Sequence, residues 1–518
     1  MEQDVNVSRN LPWARIVLLL LSILTLSAQA QLPPPPTFSP EPAAGEAKPF
    51  DPKQTHEAVL YPELNLTIPN DNVPAEPINV VEAIKMAWDN QPDVREARGR
   101  LRQAEGLVVQ ERSNILPNID LSSTYSHVTT NSGSGGGTVI VGNSIVGGGS
   151  GSSTTDRLTS RVGFSQLLFD FGRTRNLIKQ ADLARQSAAA DVLSTQNDVA
   201  LEIKLALYRL IQARRLVKVA EDDLANRQQQ LRLAQALYDA GEMAPGDVVR
   251  AQSAVTNSVV RLNSSRLDVA NAHQVLVQSV GLAPLSPVQF VDSSEPEIES
   301  RDLAALLQKA LAQRPDLLAA QRTVEASEAG LAAAYAQNRP ELTTFTGITF
   351  QGDLQNTQVP TLTAQLALSF DIYDGGARAG AVTAAEGRIE ISRAQLLRTK
   401  LSVERLVGSI LAQLITAERN VEAARSGVDS AREGVRIEEG RYSVALGSLT
   451  DVLAAQTAYV QAQINLTDAW AEVNFARARM RHALAAPLEE GFVWQPLLPR
   501  TFDPEQPDEV EPEQDPLR

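Results

Sequence analysis

Two periods of apolar and polar residues alternate along the chain. The longest stretch of helical period follows Gly172. Val199, Ile203, Ala206, Leu210, Ala213, Val217, Ala220 and Leu224 are spaced by four and three in turn, and Leu231, Ala234 and Tyr238 continue the series. An apolar position every 3.5 residues is the seam of a left-handed coiled coil. About 68 residues without Pro or Gly predict a rod roughly 100 Å long. The stretch YDAGEMAPGD then reverses the chain, and Val248, Val255, Val259, Leu262, Val269, Leu276 and Val280 carry a return helix. Turns this short make antiparallel helical hairpins. Asp247 and Thr450 are read as helix N-caps at these turns. A domain core does not need such a rod, whereas a structure spanning a wide gap does.

The plan occurs twice. Asp170 and Asp374, Tyr238 and Tyr442, Asp247 and Asp451, and Gln252 and Gln456 all differ by 204. A constant offset over this distance predicts a tandem repeat. Earlier in each half a shorter helical pattern runs through a proline: VVEAIKMAWDN then Pro92 to about Ser113, and LAALLQKALAQR then Pro315. Pro suits the first position of a new helix. Pro92 and Pro315, like Pro117 and Pro340, differ by 223, so the first half holds 19 extra residues. The Gly/Ser-rich stretch 131–156 accounts for them and is expected to be a loop. Its GSGGG lacks the strand, helix and Lys of a phosphate-binding loop.

Around that loop the period changes to two. Ile119, Leu121 and Tyr125 alternate with polar residues over 118–128, and Leu158, Val162, Phe164 and Leu168 do so over 157–168. In the second half Leu342, Thr344, Ile348 and Phe350 precede Leu362, Ala364, Leu366, Leu368 and Phe370. About ten residues with one apolar face suit a tilted transmembrane strand. A soluble hairpin packed on a core is the plain alternative. Four strands cannot close a useful barrel, and an open edge cannot face lipid. Membrane strands would therefore require several chains in one barrel, and three chains would supply twelve strands.

Composition narrows the class. The net charge of −15 argues against a nucleic-acid partner. The absence of cysteine excludes disulfides and thiolate metal sites. Arg9 and Arg15 precede an apolar run from Ile16 to Leu26, and Ala28-Gln29-Ala30 is a small-x-small cleavage site. Residues 1–30 are thus expected to be a signal peptide, with a retained anchor as the alternative, although about 11 apolar residues are short for a bilayer of about 30 Å. The remaining expected segments are a Pro-rich linker at 31–77, a first repeat at 78–298, a second at 299–486, and an acidic Pro-rich tail at 487–518. The four histidines, His56, His127, His273 and His482, have no ligand partner at helical spacing. No catalytic motif, metal site or cofactor site is expected, and the chain does not read as an enzyme.

Two junctions and two tips carry a family likeness. The junctions are Phe169-Asp170-Phe171-Gly172-Arg173 and Tyr373-Asp374-Gly375-Gly376. The tips are Tyr238…Gly241…Asp247-Val248…Ala251-Gln252 and Tyr442…Asp451-Val452-Leu453…Ala455-Gln456. Over about 78–486 the chain resembles the TolC-like outer-membrane efflux proteins of Gram-negative bacteria. The resemblance implies a mostly α protein with β-strands, assembled as a homotrimer. A twelve-stranded barrel in outer-membrane lipid would continue as a periplasmic α-helical barrel. Loops 129–156 and 351–360 would face outside. Substrates would pass passively from an inner-membrane transporter and a periplasmic adaptor, in efflux or type I secretion.

The resemblance also assigns residues. Asp247, Tyr442 and Asp451 would form the periplasmic aperture. Tyr238, Gly241, Gly447 and Leu449 would belong to the adaptor-docking tips. Asp170, Gly172, Asp374 and Gly376 would form the strand–helix junctions. The chain departs from the family pattern at three places. Gly447 stands where the best-known member has a gate Arg, Ala454 where a second acidic ring would lie, and Ala445 where the second tip has Gly. These departures predict weaker cation binding and easier opening. Two other classes fit the heptads: a structural or adhesive coiled coil without a conduit, and the periplasmic adaptor itself, which usually carries one hairpin and flanking β-domains.

Overall fold

Each half of the chain runs helix, helix, strands, long helix, return helix. The computed structural model describes residues 77–131, 139–141, 144–146, 152–298, 300–352, 359–444 and 446–486. The expected signal peptide, the acidic tail and all but the last residue of the Pro-rich linker lie outside them. The elements are α1 (Val80–Asn90), α2 (Pro92–Ser113), β1 (Asn118–Asn131), β2 (Val139–Val141), β3 (Ser144–Val146), β4 (Ser152–Phe169), α3 (Arg173–Asp239), α4 (Pro245–Ser279), α5 (Leu303–Gln313), α6 (Pro315–Ala336), β5 (Glu341–Gly352), β6 (Val359–Ser369), α7 (Ala377–Ser443) and α8 (Leu449–Ala483). Both α3 and α7 have 67 residues, and both α4 and α8 have 35. Pro92, Pro245 and Pro315 each open a helix, where the missing N–H costs nothing. Among the described residues no helix is long and apolar enough to cross a membrane.

The strands form one antiparallel sheet in the order β1-β4-β5-β6. Its register aligns the apolar positions: Leu121 lies opposite Val162, Val162 opposite Ile348, and Ile348 opposite Leu362. All four are exposed, Leu121 at 77% and Leu362 at 70%. Ile119, Tyr125, Leu366 and Leu368 share this face and are also exposed. The same register places Asp120, Ser122, Arg161, Thr349, Thr361 and Thr363 on the opposite face. Two expectations are corrected here. The first hairpin extends to Asn131 and Ser152, beyond 128 and 157, because the backbone ladder continues through Thr and Ser once the apolar alternation stops. The stretch 131–156 is not all loop either. The triplets Val139–Val141 and Ser144–Val146, rich in β-branched Val and Ile, pair as β2 and β3.

Helix α3 is sandwiched along its length. It packs against α2 and α6 in its first part and against α4 and α8 towards its end. Leu183 with Ala326 and Ala329 joins α3 to α6, and Ala220 and Leu224 with Val255, Val259 and Leu262 join it to α4. Alanines at the seam let the backbones approach closely. Each buried Leu, Ile or Val contributes about 1.5–3 kcal/mol. In contrast, α7 packs on α5, α6 and α8 and leaves Ile391, Leu397 and Leu401 more than half exposed.

The largest core gathers Ile84, Ile203, Leu207, Leu210, Leu276 and Phe290 around mid-length. The segment between α4 and α5 is held there twice. Ile78 bridges Phe290 in parallel, and Glu295 reaches inward from the segment. Its carboxylate accepts from Lys204 Nζ at 2.6 Å and from the Tyr208 hydroxyl at 2.5 Å, and Arg481 Nε lies 3.3 Å away. Its backbone N–H donates to Asn474 at 2.9 Å. Burial pushes the Lys204 ammonium down, and the Glu295 charge and hydrogen bond offset part of that. Glu295→Ala would strand these cations in the core. The variant is expected to lose about 3–5 kcal/mol of stability, measured as a lowered midpoint of thermal unfolding in detergent. An unchanged midpoint would show that Glu295 is dispensable.

Candidate functional site

The candidate residues fall at the two ends of the long helices. At the strand end, β4 leads into α3 through Asp170, Phe171 and Gly172, and β6 leads into α7 through Asp374, Gly375 and Gly376. The carboxylate of Asp170 accepts from the N–H groups of Gly172 at 3.1 Å and Thr174 at 2.6 Å. Asp374 accepts from Gly376 at 3.0 Å and Arg378 at 2.9 Å. Both carboxylates therefore cap a 67-residue helix at the positive end of its dipole. The helix N-cap is a glycine in each case, with φ of 87° and 92°. That left-handed turn folds the chain back so that an aspartate two residues upstream reaches the first helical turn. Phe171 is left-handed as well, at φ 55°, and its ring packs on Phe169 at 4.7 Å.

Burial pushes the Asp170 carboxyl up. The Thr174 hydroxyl, the Thr174 and Gly172 N–H groups and Arg173 outweigh it, so the group sits below its ordinary value. Asp374 is lowered chiefly by the Arg378 side chain and N–H. Arg173 and Glu341, 3.8 Å apart, tie the start of α3 to the start of β5. A polar cleft of about 300 Å³ opens here, lined by Asp170, Arg173, Glu341, Asp374 and Arg378.

At the tip end, Tyr442 is buried among Ala234, Ala251, Leu449 and Val452, which joins the two hairpins. Its hydroxyl meets Met243 Sδ at 3.3 Å. Burial and the nearby Asp247 charge push that hydroxyl's pKa up, so it remains a donor. Asp247 is paired with Arg250. The structure thus brings Tyr442 and Asp247 together. Asp451 stands apart from them, exposed, bonded to the Ser448 hydroxyl at 2.9 Å.

The expected N-caps are corrected. The caps are Ala244 and Ser448, and Asp247 and Asp451 occupy the third helical position. The helices start earlier because Pro245 presets its own helical φ, and because the Ser448 hydroxyl accepts from the Asp451 N–H at 3.2 Å.

Gly241 closes α3 in the left-handed conformation: its N–H donates to the Tyr238 carbonyl and the Glu242 N–H to the Leu237 carbonyl. Tyr238 is half-buried beside it. Gly447 has another use. A Cβ there would lie 3.1 Å from Arg441 Cβ and 3.3 Å from the Arg441–Tyr442 backbone, so the glycine permits a close approach. Leu449 is buried and shapes the tip from within. Ala445 lies outside the described residues.

Sequence reasoning missed three features. Val444 and Leu446 are apolar and more than half exposed at the second tip. Met243 supplies the Tyr442 contact. Behind the tips Glu439 accepts from Gln230 at 2.8 Å and Gln456 at 3.1 Å, which braces α3, α7 and α8. Only the Gln456 part had a signal, its place in the repeated tip pattern. Among the described residues no cluster of His, Asp or Glu is placed to hold a metal ion. His273 is engaged with the Val288 carbonyl and His482 with Asp198.

The family described as Outer membrane efflux protein matches residues 83–282 and 306–486. The chain is 26% identical over 340 residues to the outer membrane efflux protein BepC of Brucella suis, covering 64% of this chain and 73% of BepC. It is 22% identical over 425 residues to the outer membrane protein TolC of Vibrio cholerae, covering 80% of this chain and 92% of TolC. The crystal structure of CusC superposes with a TM-score of 0.68 at 17% identity, covering 81% of this chain and 99% of CusC.

The junction makes a pH prediction. A carboxyl whose folded pKa is depressed adds stability above its ordinary value, 3.8 here, and that stability is lost as pH falls further. Amide protection of the first turns of α3 and α7 is expected to fall below about pH 4. Asp170→Ala and Asp374→Ala should lower protection at neutral pH and remove that acid step from their own helix. Hydrogen exchange read at residues 173–176 and 377–380 checks this; an acid step surviving in both variants would contradict it.

Proposed function

The chain belongs to the outer membrane efflux protein family, and from that premise we propose how its parts make a conduit. It is an outer-membrane channel for efflux, of a family whose members are channels rather than enzymes. The observation that carries the fuller reading is the register of the sheet. One apolar row crosses all four strands, and the strands at both junctions lead through the short turns 170–172 and 370–376 into 67-residue helices. A strand of about 12 residues at about 3.4 Å per residue, tilted by about 40°, covers a hydrocarbon layer of about 30 Å. Phe169, Phe171, Phe370 and Tyr373, all exposed, would form the interfacial belt on the periplasmic side.

In this reading the chain is built of two tandem repeats, 78–298 and 299–486, behind a cleaved signal. Three chains close one twelve-stranded barrel, and their long helices close a tunnel across the periplasm. The bare face of α7, with Ile391, Leu397 and Leu401, packs on a neighbouring copy. An inner-membrane transporter and a periplasmic adaptor supply substrate and energy, and the channel conducts passively. The adaptor meets the tips shaped by Tyr238, Gly241, Gly447 and Leu449, where Val444 and Leu446 offer apolar contact. A coiled coil without a conduit leaves the exposed apolar sheet face without a purpose.

Opening would part the hairpins at Tyr442, Met243 and Asp247. No Arg braces this contact from position 447, and a side chain there would displace the Arg441–Tyr442 backbone. Asp451 would form one acidic ring, unaccompanied at Ala454. Protein extracted from the outer membrane should form discrete pores in planar bilayers, and no pores would sink the conduit. Tyr442→Phe should raise the open probability, and equal gating would remove Tyr442 from the gate. Divalent cations on the tip side should block more weakly than in relatives with two acidic rings, and equal block would refute the single-ring account.

A further inference from the structure

The polar face of the sheet is not evenly polar. Among its described residues the charged ones are Asp120, Arg157, Arg161 and Glu341. Glu341 lies at the junction end, 3.8 Å from Arg173, which leaves two cations against the single anion Asp120 over the rest of the face. Arg161 is held in place. Its guanidinium stacks on the ring of Phe345, 4.2 Å from the centroid. Phe345 breaks the alternation: it is an aromatic residue on the mostly polar face. The register shows why it fits. Gly163 and Gly347 lie opposite one another between the row of Phe345 and the row of Arg161. A Cβ at Gly347 would lie 2.7 Å from Phe345 Cζ, and one at Gly163 would lie 3.0 Å from Phe345 Cε2. The ring therefore leans across the bare glycine row and ends under the arginine. Neither Arg157 nor Arg161 has a carboxylate within salt-bridge distance among the described residues, whereas most arginines of the helices do.

We propose that Arg161, positioned by Phe345, forms with Arg157 an anion-binding collar on the inner wall of the barrel, which favours the exit of organic anions carrying carboxylate or phosphate groups. The proposal rests on the closed-barrel reading above, in which the polar face lines the pore and the two arginines lie towards its outer end. Three copies would place six guanidinium groups and three Asp120 carboxylates around the lumen, with three Glu341 carboxylates at the junction end beside Arg173. Rings of Arg select anions because a narrow pore with low-dielectric walls focuses the field of its lining charges. The guanidinium fork also matches carboxylate and phosphate oxygens. The collar has the sign opposite to that of the tips, where Asp247 and Asp451 lie. The conduit would thus present acid at its entry and base at its exit. Stacking keeps the Arg161 fork pointing across the pore and lowers the entropy lost on binding.

Citrate is a suitable probe, applied to single channels of the full-length protein in planar bilayers. Wild-type channels should be blocked by citrate more strongly from the outer side than from the tip side. R157Q/R161Q should weaken the outer-side block about tenfold, as expected for losing charge-assisted bonds, and should shift the reversal potential in a salt gradient towards cation preference. R161K, which keeps the charge, should keep the selectivity, and its conductance shows that the barrel has assembled. F345L should weaken the outer-side block while leaving conductance intact. Wild-type pores whose citrate block and reversal potential do not change in R157Q/R161Q would overturn the collar and leave the conduit standing. Equal block in F345L and wild type would overturn the positioning role of Phe345. A wild-type protein without pores would overturn the conduit, and the collar with it.

Discussion

An unpaired backbone N–H or C=O cannot remain in hydrocarbon, where no water replaces the missing partner. The sheet of this chain meets that constraint only in part. Its inner strands β4 and β5 are bonded on both sides, whereas β1 and β6 are each bonded on one. Its apolar face, from Leu121 across Val162 and Ile348 to Leu362, is aligned across the strands and exposed in the single chain, as the proposed contact with lipid requires. A sheet with a lipid-facing surface and two open edges is therefore an incomplete object. Closure against further copies of the same chain would satisfy both edges at once, and the proposed trimer is one such closure.

The helices obey the same rule in a different solvent. A 67-residue helix ends with backbone groups that need partners. At the membrane end Asp170 and Asp374 supply them from two residues upstream, across a left-handed glycine. At the far end Gly241 closes α3 with bonds to the Tyr238 and Leu237 carbonyls. These devices fix where each rod starts and stops, so the tips meet at a defined level and Tyr442 reaches Met243. The mid-length core around Glu295 and Phe290 then locks the chain between α4 and α5 against the rods. In the proposed assembly the bare part of α7, like the open strand edges, is surface for a neighbour.

Much of this was legible in the sequence. Of the heptad seam residues Val199, Ile203, Ala206, Leu210, Ala213, Ala220, Leu224 and Ala234 are buried along α3, whereas Val217, Leu231 and Tyr238 are half-buried. Pro92 and Pro315 marked helix starts, and the alternation in four segments named the exposed apolar face. The rest depended on distant contacts. Glu295 sits in a polar loop and looks solvated; only the fold brings Lys204, Tyr208 and Arg481 to it. Gly447 reads as a flexible turn residue, yet its role is the close approach of Arg441. Phe345 was silent because alternation has no place for an aromatic residue on the polar face, and its seat exists only when Gly163 and Gly347 lie side by side. The N-caps were misplaced because Asp247 and Thr450 have the right side chains, while Pro245 and Ser448 start the helices earlier.

Copies of this chain are proposed to complete one another at the strand edges and along α7. The mass of the detergent-extracted complex, measured under native conditions, tests it directly. A single species of three chains is expected. A stable monomer, or an assembly of any other number, would contradict it.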